Sequence, residues 1–183
     1  MSENSKSMSL YYYGCDKTDD HGWGCVYRCV QMVLSTFPDH VSEIPSIPDM
    51  AQLMKKDITD PVLKNRWVEP HDTVPVFERY GLTLDLYWYC TYEKIAPPVY
   101  TEIETLADLP TPSIIDDGSY AYVITNHIGG AVYEARDPHK EGAPTFKIDL
   151  SARGMWMIGH PRVEKKNPTI FTRLGHYMQS LFR

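Results

Sequence analysis

Apolar positions between Cys25 and Phe37 fall at Val26, Val30, Val33, Leu34 and Phe37, a near-helical spacing that predicts a first helix, stopped by Pro38. A second stripe, Ile47, Met50, Leu53 and Met54, follows the loop signals Pro45, Ser46 and Pro48 and is closed by Lys55-Lys56-Asp57. A third helix is expected over Val74 to Tyr80, ended by Gly81. The pattern then changes. Leu82 to Tyr89, Ile114-Ile115, Tyr120 to Thr125, Ala131 to Arg136 and Phe146 to Leu150 are rich in β-branched and aromatic residues and read as strands. A short strand is also expected at Leu10 to Tyr13, closed by Gly14, and a turn at Asn126 to Gly130. Helices first and strands later predict an α+β fold, N-terminal helices packed on an antiparallel sheet, in preference to a doubly wound parallel sheet.

At 183 residues and 43% hydrophobic, the chain suits one domain able to bury a core without disulfide staples. The pattern divides it into a polar, disordered stretch over 1–9, a main folded body over 10–167 and an amphipathic helix candidate over 168–183. In that last segment Ile170, Leu174, Tyr177 and Leu181 share a face bordered by basic residues, which suits docking to a partner or membrane surface, or packing on the chain's own body. The first residues lack the apolar run of a secretory leader, so a cytoplasmic protein is expected, with its four cysteines kept as thiols. A net charge of −6 without concentrated Lys and Arg argues against nucleic acid as a partner. Thirteen tyrosines offer wide amphipathic contact area suited to a peptide or protein.

Two short motifs carry chemistry. Gly22-Trp23-Gly24-Cys25 is a glycine-rich turn that delivers a cysteine to the first turn of the first helix. There, free N–H groups and the helix dipole favour a thiolate, and the expectation is a lowered thiol pKa. Glycines at this place let a substrate backbone approach closely. The plain alternative is a buried cysteine with Trp23 as a core anchor. Asp137-Pro138-His139 follows an apolar run and places a carboxylate and an imidazole two residues apart; in extended chain both would share one face and reach Cys25. On its own it equally suits an Asp-Pro turn bearing an exposed histidine.

Taken together, Gly22-Trp23-Gly24-Cys25-Val26-Tyr27-Arg28 and the distant Asp137-Pro138-His139 resemble the ubiquitin-fold modifier (UFM) specific proteases, papain-like cysteine peptidases. The likeness runs from about Tyr11 to about Gly159. It includes Tyr13 twelve residues before the cysteine, Asp19-Asp20, Gln31, Ser46-Ile47-Pro48 and Arg66-Trp67-Val68. It departs at Lys140, where close relatives carry a tyrosine, and in Tyr122 to Ala135, which is shorter and poorer in glycine than the family's segment.

The resemblance implies a papain-like catalytic domain in a short form. Cys25 would be the nucleophile, His139 the base, Asp137 its orienting carboxylate and Tyr13 the oxyanion donor, with Trp67, Trp23 and Gly24 binding substrate. It further implies a monomer without cofactor or catalytic metal that trims the UFM precursor and cuts its isopeptide bond to lysines, with recruitment to the endoplasmic reticulum surface. Three rivals are weighed beside it. Arg28-Cys29-Val30-Gln31-Met32 is reminiscent of peptidases acting on the autophagy modifier, whose chains are longer. A ubiquitin-chain-cleaving branch lacks the Asp-Pro-His ending, and a non-catalytic modifier-binding protein would have no need of all four catalytic residues. A zinc site using Cys15, Cys25 and Cys29 lacks paired Cys-x-x-Cys units.

Overall fold

The computed structural model describes residues 7–92 and 96–164. The expected helix over 168–183 and residues 1–6 of the polar start lie outside them. The helical elements come first: α1 (Cys25–Leu34), α2 (Ile47–Leu53), the single turn α3 (Leu63–Arg66) and α4 (Val74–Arg79), the last entered through a 3₁₀ turn at Pro70–Thr73. Strands follow: β1 (Leu82–Cys90), β2 (Thr101–Glu102), β3 (Ser113–Asp116), β4 (Ala121–Gly129), β5 (Val132–Arg136), β6 (Thr145–Asp149) and β7 (Met155–Val163). They form one sheet in the order β2-β1-β7-β3-β4-β5-β6, antiparallel throughout except for the parallel β1–β2 edge. The fold is α+β, as the pattern predicted.

α1 is the pivot. It lies against β3 and β4, and every residue from Val26 to Leu34 is buried. A helix buried all round cannot be one with a polar face, which is why its two long polar residues, Arg28 and Gln31, need internal partners. Ser46 caps α2 in a reciprocal box with Asp49, and Pro48 stands in its first turn, where no N–H is missed. α4 packs on β1, and Gly81, at φ +70°, supplies the left-handed residue that turns the chain from one into the other.

Three expectations are corrected. Leu10 to Tyr13 is no strand: the segment is held by single contacts, among them the Tyr13 N–H donating to the Pro138 carbonyl at 3.0 Å. β4 continues through Asn126 to Gly129 with two register shifts, and the turn into β5 falls at Gly130 and Ala131. Tyr120 belongs to the β3–β4 turn, not to the strand. The largest omission is β7, a central strand that pairs with both β1 and β3. Gly159 and Pro161 mask it in the sequence. A side chain at Gly159 would meet the Pro70 Cβ at 3.3 Å and a Leu84 methyl at 3.4 Å, so the glycine permits close packing. Pro161 pairs only with β1, beyond the end of the β3 ladder, where a missing N–H leaves no bond unmade on that side.

Candidate active site

The turn before α1 is built on Asp20. Its Oδ1 accepts the Gly14 N–H at 2.8 Å, its backbone carbonyl accepts from Trp23 and Gly24, and its Oδ2 accepts the Arg28 Nε–H at 2.7 Å. Arg28, wholly buried, also donates to both carboxylate oxygens of Asp16 and to Gln31 Oε1, whose amide in turn holds the Pro45 carbonyl. Arg28 therefore ties the loop carrying Tyr13 to the helix carrying Cys25. Burial and the two carboxylates act on it in opposite senses, and the carboxylates prevail, holding the guanidinium charged.

Gly24 is explained by the same network. A Cβ there would stand 2.5 Å from Asp20 Oδ2, so the position excludes any side chain because Asp20 fills it. Gly24, expected to bind substrate, does not line the cavity described below, and its lack of a side chain makes room for Asp20. Gly22 takes the left-handed conformation at φ +82° and opens onto the cavity described below. Trp23 is mostly core: it is 4% exposed, stacks edge-on to Tyr27 and donates to the Asp19 carbonyl at 3.2 Å, with only an edge reaching the cavity.

Cys25 begins α1 and faces a cavity of about 680 Å³ that is also lined by Tyr13, Trp67 and His139. The Tyr13 hydroxyl and the backbone N–H groups of Ala121 and Val26 are directed at its sulfur. The expected lowering of the thiol pKa is not met. Burial, followed by the Asp116 carboxylate, pushes the thiol up to about 11, and the three donors offset this only in part. A thiolate therefore requires a charged partner.

His139 supplies the means. Asp137 and His139 do not lie along an extended strand; the chain turns after β5, and Asp137 Oδ1 accepts both the His139 backbone N–H at 3.0 Å and the ring Nδ1–H at 2.7 Å. A carboxylate can only accept, so the proton sits on Nδ1 and Nε2 presents its lone pair. That Nε2 is buried and has no hydrogen-bond partner among the described residues. Burial raises the Asp137 carboxyl, but the two bonds and the charge of His139, followed by the hydrogen bond from Lys140 at 3.3 Å, outweigh it and hold it below the ordinary value.

Around the imidazole stand three tyrosines: Tyr13, Tyr120 and Tyr122, with ring centroids at 5.2, 5.3 and 5.4 Å in edge-on orientation. Trp67, 43% exposed at the cavity rim, donates its indole N–H to the Gly22 carbonyl at 2.8 Å. Burial and the neighbouring thiol keep the Tyr13 phenol protonated and able to donate.

Tyr13, Cys25, His139 and Trp67 thus line one cavity, and Asp137 reaches it through His139. Sequence reasoning read both strands of the β3–β4 hairpin but missed its part in the site, to which it brings Asp116, Tyr120 and Ala121. The signal was present in Asp116-Asp117-Gly118-Ser119, a turn composition between two apolar runs. Cys29 is fully buried, and Cys15 and Cys90 lie away from the cavity lining.

A cysteine on a buried helix facing a His–Asp pair at the edge of an antiparallel sheet defines a papain-like fold. The UfSP structure from C. elegans superposes with a TM-score of 0.61 over 87% of this chain and 34% of that one, at 16% identity. Residues 2–74 match the model of peptidase family C78. Ufm1-specific protease 2 of Homo sapiens is 26% identical over 152 residues, covering 76% of this chain and 32% of that protein. The Gallus gallus protein of that name is 25% identical over 156 residues, with 79% and 34% covered. Ufm1-specific protease 1 of Mus musculus is 47% identical over 38 residues, 21% of this chain and 18% of that protein. The chain is thus similar to the Ufm1-specific proteases over most of its length and to the family C78 peptidases over its first 74 residues. It spans about a third of the length of the protease 2 relatives it matches.

Proposed function

We propose that this chain is a thiol peptidase acting on the C-terminal glycine of a ubiquitin-fold modifier, both in a precursor and in an isopeptide bond to lysine. One observation supports this above the rest: a histidine fixed through Nδ1 by a carboxylate, its buried Nε2 without a partner among the described residues, lines the same cavity as a cysteine. The likeness to the Ufm1-specific proteases supports the substrate class.

In this reading the Nε2 lone pair takes the Cys25 proton, and the Asp137 carboxylate stabilises the imidazolium that results. A thiol held near 11 in the resting site loses its proton only as the imidazolium forms beside it, so the ion pair arises within the closed site. The sulfur attacks the glycine carbonyl. The oxyanion that develops is met by the Tyr13 hydroxyl and backbone N–H groups at the start of α1, and the amine departs with the proton from His139. Water then releases the acyl group by the reverse sequence. Trp67 and Gly22 form one wall of the entry, where a glycine tail passes and bulkier residues are refused.

The test is cleavage of a C-terminally extended modifier and of a modifier–lysine isopeptide by wild type, Cys25→Ala and Cys29→Ala. Turnover lost with Cys25→Ala and kept with Cys29→Ala is expected. Cleavage that persists in Cys25→Ala would refute the assignment.

A further inference from the structure

One group at the wall of the cavity has no part in the mechanism above. Asp116 ends β3, is 6% exposed, and lines the same cavity as Cys25 and His139. Its Oδ1 accepts the Gly118 N–H at 2.7 Å, and no lysine, arginine or histidine among the described residues forms an ion pair with it. The charges that act on it, Asp117 and Glu69, carry its own sign. Of the other charged groups that line the cavity, Lys56 meets Asp72 at 3.4 Å and Glu69 faces His71 at 3.3 Å, while Lys64 forms no ion pair with Asp116; outside the lining Lys140 meets Asp137 at 3.3 Å and Arg153 meets Asp117 at 3.4 Å.

A buried carboxyl without a cation is costly, and this one also opposes ionisation of the nucleophile it adjoins. Both penalties vanish if a positive group enters the cavity. Asp116 is paired in the β3–β4 ladder with Ala121, whose N–H is directed at the Cys25 sulfur, so a cation held by Asp116 would lie beside the scissile bond.

We propose that Asp116 is a specificity-determining residue that receives a cationic group of the substrate, a lysine or arginine side chain adjoining the scissile glycine or the leaving-lysine segment. The proposal rests on the peptidase reading and deepens it. Entry of the cation neutralises the charge that disfavours the thiolate, so the nucleophile is activated by the substrate it is meant to cut. An uncharged peptide of the same shape leaves Asp116 opposing the thiolate.

The experiment compares labelling of Cys25 by three methanethiosulfonates of similar size, cationic aminoethyl, neutral methyl and anionic sulfonatoethyl, with the site of modification read by mass spectrometry. In each, the sulfur attacks the reagent, a mixed disulfide forms, and methanesulfinate leaves. Wild type should favour the cationic over the neutral reagent by about tenfold or more, the lower end of what an opposite charge at 4–6 Å does to an ionisation equilibrium. Asp116→Asn, nearly isosteric, should bring that ratio close to one while Cys25 stays reactive. Equal ratios in both proteins would overturn the proposal. So would a wild type without cationic preference, a result that does not depend on the variant folding.

Glycine-containing peptides bearing Lys, Arg or Gln on the acyl side, or Lys or Gln on the leaving side, then locate the cation: a preference on one side that Asp116→Asn abolishes identifies its source, and no preference on either side overturns the substrate claim. Labelling requires no modifier. Failure to cleave any modifier, with the cationic preference intact, would count against the proposed function and leave Asp116 in place.

Discussion

Asp20→Ala should be the most informative single change outside the reacting groups. Asp20 and Arg28 are both fully buried and meet at 2.7 Å, and removing one partner of such a pair typically costs about 3–5 kcal/mol. Asp16 still engages the guanidinium through two bonds of 2.8 and 2.9 Å, which favours the lower end, about 3 kcal/mol. The Gly14 N–H also loses its acceptor, adding about 1 kcal/mol. A total near 4 kcal/mol lowers Tm by about 8–16 °C for a chain of this size. Equilibrium urea unfolding read by tryptophan fluorescence measures it directly. Tyr13 precedes Gly14, so kcat should fall in the same variant under conditions where it remains folded. A loss below about 1 kcal/mol would show that Asp16 and Gln31 suffice for Arg28, and the account of the turn would be wrong.

Three further outcomes follow from the geometry. Tyr13→Phe should lower kcat by about a hundred- to a thousandfold with KM little changed, since one oxyanion donor is removed; steady-state kinetics with turnover near wild type would take Tyr13 out of the mechanism. Gly24→Ala should destabilise and inactivate, because its Cβ would meet Asp20 at 2.5 Å, and Asp20→Ala in the same chain should add little further loss; strict additivity in a double-mutant cycle would contradict this packing. Burial, followed by the charges of Asp117 and Glu69, raises Asp116 from 3.8 to about 7, so between those two values the folded state keeps a proton that the unfolded chain has lost, above them the carboxyl is charged in both states, and stability should decline as pH rises from about 4 to about 7. The full effect is about 4 kcal/mol, and Asp116→Asn should remove that decline; equal slopes for both proteins in urea titrations from pH 5 to 8 would refute the placement of the carboxyl.

Elements with strong periodicity were readable from the chain. α1, α2, α4, β1 and β5 fall close to their expected bounds because their apolar residues decide their burial. β7 escaped because packing, not propensity, chose Gly159 and Pro161 for a central strand. Cys25 and His139 were legible as a pair through the family likeness, but their environment was not. The helix start suggested an easily ionised thiol, whereas the cavity wall contributed by the β3–β4 hairpin buries it and sets Asp116 nearby, a long-range effect that local spacing does not encode. Gly24 shows the same limit: a glycine beside a nucleophile suggested substrate access, and only the position of Asp20 reveals its structural use.

Covalent capture tests the central claim most directly. UFM, the autophagy modifier and ubiquitin, each bearing a C-terminal electrophile, are offered to wild type and Cys25→Ala. The account predicts selective labelling by the UFM probe at Cys25 and none in the variant. Labelling by a different probe, or of a different cysteine, would contradict the substrate or the nucleophile respectively, and no labelling by any probe would contradict both.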